Sequence, residues 1–123
     1  MERQITIADY LGETELSRMS EAEMVSEVGN RLGLPFSRKE WDYNTHEYRA
    51  KYKGLVLTLE LSTYYGSDQP IILYGWDNPK NKSGGGGPAE SVDEAVERLR
   101  LIMEREAAEN EKRKRELGHR RSA

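Results

Sequence analysis

Apolar positions change their rhythm twice along the chain, and each rhythm predicts a different kind of element. Over residues 20–32 the spacing is helical: Val25, Val28 and Leu32 share one face, and Ser20 with Glu23 forms the S-x-x-E box that caps a helix N-terminus. Gly33 is a natural stop for that helix, and Pro35 reinforces it. A shorter helical turn is expected from Thr6, with Ile7, Tyr10 and Leu11 available to pack. Over residues 41–77 the period falls to two. Tyr48, Ala50 and Tyr52 alternate with Glu47, Arg49, Lys51 and Lys53; after Gly54, Leu55, Leu57, Leu59 and Leu61 alternate with Val56, Thr58, Glu60 and Ser62. A two-residue turn at Lys53 and Gly54 pairs residue 52 with 55, which sets Tyr52, Ala50 and Tyr48 opposite Leu55, Leu57 and Leu59 on one buried face. Residues 71–76, apolar on both faces, predict a third strand after the turn-rich stretch 66–70.

Residues 78–88 are rich in Asn, Lys and Gly and are expected to be a loop, because four consecutive glycines at 84–87 oppose an ordered strand. Ser91 and Glu94 then form a second capping box. The helical rhythm returns in Val92, Ala95, Val96, Leu99, Ile102 and Met103, a stripe suited to lie across the leucine face of the sheet. Beyond Met103 the helix is almost wholly charged or alanine, with Glu109 and Arg113, and Glu111 and Arg115, at i,i+4 spacing, so it is expected to project into solvent. The fold class is α+β: N-terminal helices, a three-stranded antiparallel meander and a long C-terminal helix packed on one sheet face. Residues 1–103 form one domain, and 104–123 a charged helical extension with a basic tail.

Composition limits the core and narrows the chemistry. Leu, Ile, Val and Phe supply 23 of 123 residues, so the seven Tyr and two Trp carry much of the buryable area. The absence of cysteine excludes disulfides and thiolate metal sites. His46 and His119 are too far apart in sequence for a His-rich metal site. No apolar run approaches the roughly 18 residues of a membrane helix and the first eight residues carry no secretory pattern, so a cytoplasmic protein without membrane contact is expected. Charge divides unevenly: residues 1–111 sum to -8 and residues 112–123 to +5. An acidic body suits a basic partner, and a basic tail suits phosphate.

Four groups of residues bear on function. In the expected hairpin register Glu47 faces Glu60 on the sheet side away from the last helix, and opposed carboxylates destabilise unless compensated. Arg49, on the diagonal, is the simplest compensation; a basic group from a partner, or a cation, is the alternative. Of the nine Tyr and Trp residues, eight lie within 41–76. Among them Tyr74 and Trp76 are expected to face away from the last helix and, beside Val56, to form an exposed apolar patch unless the N-terminal helices cover it. The glycine run ahead of a helix N-terminus could cradle an anion, yet it lacks the phosphate-loop pattern and reads as a flexible connector. Finally, Lys112, Arg113, Lys114 and Arg115, with Arg120 and Arg121, form a basic run without aromatics, suited to salt-sensitive phosphate contact or simply to solubility.

The order helix, three antiparallel strands, helix over residues 25–103 resembles the double-stranded RNA-binding domain in topology. That family grips phosphate at the start of its last helix, where this chain has Glu90, Asp93 and Glu94, which would repel the backbone; Lys80 and Lys82 are the residues that favour it. The short acidic chain, the aromatic hairpin over residues 41–65 and the stretch Ser-Gly-Gly-Gly-Gly-Pro at 83–88 leading into Ser-Val-Asp-Glu-Ala at 91–95 together resemble the small accessory proteins of bacterial phages and mobile elements. Among other roles, the resemblance implies an anti-CRISPR protein, acidic and non-enzymatic, that blocks a nucleic-acid surface; it assigns no residue.

The expectation is therefore a non-catalytic inhibitor that occupies a basic surface on a larger protein or ribonucleoprotein, with a Cas9-type nuclease as the specific case. Its contact residues would be Tyr74, Trp76, Glu47, Glu60 and Asp77, with no cofactor or metal. The alternative is nucleic-acid binding through Lys80, Lys82, Lys112, Arg113, Lys114 and Arg115. Nothing in the sequence excludes a dimer.

Overall fold

The computed structural model describes residues 15–38, 47–63 and 69–122. The turn expected from Thr6, the aromatic residues Trp41, Tyr43, Tyr64 and Tyr65, and His46 lie outside the described residues.

After a 3-10 turn at Leu16–Arg18, helix α1 spans Glu21–Leu32. Its start is set by the Ser20 hydroxyl, which accepts from the Glu23 N–H at 3.1 Å, and its end by Gly33 in the left-handed conformation (φ 69°). Five strands follow: β1 (Ser37–Arg38), β2 (Tyr48–Tyr52), β3 (Leu55–Thr63), β4 (Pro70–Asn78) and β5 (Ser83–Ala89). They form one antiparallel sheet in chain order, β1-β2-β3-β4-β5. Helix α2, Val92–Ser122, runs 31 residues, about 46 Å at 1.5 Å per residue.

The expected hairpin register holds: Tyr52 pairs with Leu55, Ala50 with Leu57 and Tyr48 with Leu59. Lys53 and Gly54 both have positive φ (44° and 83°), the requirement of a type I′ turn. Both helices pack on the Leu57 face, where Leu55, Leu57, Leu59 and Ile72 join Met24 and Val28 of α1 and Val92, Val96 and Leu99 of α2 in one core. Arg31 of α1 pairs with Asp93, and Arg100 donates to the Arg31 carbonyl at 3.0 Å, tying the two helices side by side.

Three expectations are corrected. The sheet has five strands, not three. The short β1 carries no pattern that two residues could reveal, and β5 contains the four glycines expected to be a loop. What makes that glycine strand ordered is its neighbour. Trp76 pairs with Gly85 and Tyr74 with Gly87, and side chains at those glycines would run into the indole and the phenol, at 3.0 Å from each. The rings thus cover the bare backbone in place of side chains.

The second correction follows from the same register. Leu57 pairs with Trp76 and Leu59 with Tyr74, and directly opposed residues share a face, so Tyr74 and Trp76 point toward the helices. The Arg105 guanidinium of α2 lies 5.3 Å from the Trp76 ring. Ile71 and Leu73 face outward instead, beside Val56, and all three are half-buried. The third correction concerns α2, whose contact with the body runs past Met103 through Glu106, a carboxylate only 4% exposed, to Asn110.

Leu57→Ala and Leu99→Ala should each cost about 2–5 kcal/mol of stability, and Trp76→Ala a comparable amount, as truncations of packed side chains do. Leu73→Ala, on the outer face, should cost far less. Urea titrations of the four variants check this; an equal loss at Leu73 would mean that the outer face is covered as well.

Candidate functional site

Two surfaces emerge from this architecture, and a buried polar cluster sets the position of one of them. Asn78 ends β4 on the helix-facing side, fully buried. Its amide donates to Glu106 at 3.3 Å and to Asn110 at 3.0 Å, while the Ser83 hydroxyl, across the β4–β5 pair, donates to Glu106 at 3.0 Å. Arg105 donates to the other carboxylate oxygen at 3.2 Å. Burial raises the pKa of the Glu106 carboxyl, but the three donors Asn78, Ser83 and Arg105 and the nearby Arg105 charge outweigh it and hold the group below its ordinary value of 4.5. Glu106 therefore stays ionised as the anchor between α2 and the β4–β5 turn.

Past that anchor α2 runs alongside two turns of the sheet. Together they enclose a groove of about 1090 Å³, with Lys53 and Lys80 from the β2–β3 and β4–β5 turns on one wall and Asn110, Arg113, Lys114 and Leu117 of α2 on the other. Of the residues expected to contact nucleic acid, Lys80, Arg113 and Lys114 come together here. Lys82, Lys112 and Arg115 are exposed and do not line the groove. Lys53 and Leu117 joined no candidate site in the sequence. Glu106 was legible in principle, because position 106 continues the helical spacing of Leu99, Ile102 and Met103 and a lone polar residue on an apolar stripe calls for a buried partner.

The second surface is the outer sheet face. Glu47, Glu60 and Asp77 rim a shallow depression of about 340 Å³ that also contains Leu73 and Thr58. Arg49 pairs at 3.2 Å with Glu47, two residues along its own strand, which compensates one carboxylate as expected, and leaves Glu60, its diagonal neighbour, and Asp77 without an ion pair to it. Three of the five expected contact residues thus share this side, whereas the rings of Tyr74 and Trp76 belong to the other. Among the described residues no three His, Cys, Asp or Glu side chains are placed to hold a metal ion, and no helix is long and apolar enough to cross a membrane. Comparisons with protein families, with curated proteins and with solved structures found no match.

A carboxylate whose folded pKa is depressed contributes stability that is fully present above its unfolded value and is lost as pH falls through the lowered folded value. The Glu106 contribution should therefore persist at neutral pH and disappear on acidification below about pH 4.5. Glu106→Gln should lower stability by about 1–3 kcal/mol at pH 7, where Asn78 and Ser83 lose a charged acceptor. It should also flatten the acid limb of the stability curve. Thermal melts of both proteins from pH 3 to 7 measure this, and parallel curves would deny Glu106 the role.

Proposed function

We propose that this protein acts by binding, without catalysis, and that its outer sheet face docks on a basic, nucleic-acid-handling surface of a larger protein or ribonucleoprotein. The observation that carries the reading is the convergence of Glu47, Glu60 and Asp77 around Leu73 on the sheet face opposite the helices. Arg49, paired with Glu47, and Lys51 are cations of the same face, and Glu60 and Asp77 lie on its β3–β4 side. Half-buried apolar residues rimmed by charge have the anatomy of a protein interface, a centre that can be desolvated and a rim that selects its partner by sign. Val56, Ile71 and Leu73 supply the centre, in place of Tyr74 and Trp76.

Glu60 and Asp77, which Arg49 does not pair, would take the place of backbone phosphates on a basic surface, so the docked protein would exclude nucleic acid from the surface it covers. A Cas9-type nuclease is the specific partner suggested by the resemblance to accessory proteins of phages and mobile elements, and the setting is then the cytoplasm of a bacterial host.

Association with a guide-loaded Cas9-type nuclease, followed by biolayer interferometry, should slow as salt rises from 50 to 300 mM, because opposed fields act within a Debye length of roughly 6–14 Å over that range. Glu60→Lys combined with Asp77→Lys should weaken binding at least tenfold while circular dichroism stays unchanged. Undiminished affinity in that variant would remove the outer face from the interface, and absence of any binding would remove the Cas9-type partner.

A further inference from the structure

We propose that the basic groove between α2 and the two sheet turns is a second binding site, taking the phosphodiester backbone of a single nucleic-acid strand. Lys53 and Lys80, both exposed, are brought side by side by the two sheet turns. Lys80 lies across Gly54, where a Cβ would stand 3.0 Å from the lysine Cε and 3.4 Å from Nζ, so the turn glycine leaves room for the Lys80 stem to cross beside Lys53. Lys53 in turn sits 5.4 Å from the ring of Tyr52, which limits its own sweep.

The opposite wall is fixed by the Asn78–Glu106–Asn110 contacts, which clamp α2 one turn before Arg113 and Lys114. Among the described residues four cations thus face one another across the groove, against the single carboxylate of Glu111. Arg113 adds the planar fork that matches phosphate oxygens in pairs. The charges lie along two walls rather than converging on one point, which suits a linear polyanion better than a lone phosphate. Leu117, 55% exposed and lining the same groove, offers an apolar surface to a sugar or base between the phosphate contacts. This site is separate from the outer sheet face, so its binding does not depend on the partner proposed above.

The test is fluorescence anisotropy of the full chain with a labelled 12-nucleotide single strand. Four phosphate contacts predict that log K falls with log salt at a slope of about -3. In the double variant Lys53→Asn and Lys80→Gln, Asn is at home at positive φ and Gln keeps most of the side-chain stem over Gly54. Two contacts fewer should weaken binding roughly 10- to 30-fold at 0.1 M salt and bring the slope to about -1.4. The control pair Lys112→Gln and Arg115→Gln, outside the groove, should lose less than threefold. Equal losses from both pairs would show that the helix charge attracts DNA without a groove. Failure of the strand to bind at 50 mM salt would also overturn the site, and so would its displacement by poly-glutamate, which carries no phosphate, at equal charge concentration.

Discussion

The type I′ turn at Lys53 and Gly54 is the constraint from which most of the molecule follows. Two residues with positive φ leave the β2–β3 hairpin a single register, and in a sheet a register decides faces as well as neighbours. With Leu55 opposite Tyr52, every odd-numbered leucine of β3 faces the helices. β4 pairs onto β3 and β5 onto β4, so the same parity sends Trp76, Tyr74 and Asn78 inward and Leu73 and Asp77 outward. A slip of one residue would exchange the core with the charged outer face.

Much of this was legible in the sequence because it rests on local chemistry. Ser20 and Gly33 bound α1, Lys53 and Gly54 make the hairpin, and the stripe from Val92 to Met103 finds the leucine face. The misreadings share a cause. Residues 71–76 are apolar on both sides, so no alternation shows which side is inward, and only pairing with β3 decides it. A glycine run carries no strand signal of its own, since the side chains that order β5 belong to Tyr74 and Trp76 on the neighbouring strand.

The candidate sites divide along the same line. Glu47 and Glu60 could be placed on one face from hairpin parity alone, and so could Arg49, which pairs with Glu47. The groove could not be assembled that way. Lys53, Lys80 and Arg113 lie far apart in the chain, and their meeting depends on how α2 crosses the ends of two turns, which Asn78 and Glu106 determine through buried hydrogen bonds.

The glycine strand also shapes how the protein behaves in company. As the last strand of the sheet, β5 presents a row of peptide groups with almost no side chains to shield them, the kind of border along which β-sheets grow by recruiting another chain. Pro88 interrupts that border by removing one N–H from it, and at the opposite margin β1 is only two residues long. Among the described residues, both margins of the sheet are thus poor templates for a further strand. Replacing Pro88 with a residue that can donate would restore an uninterrupted template for aggregation.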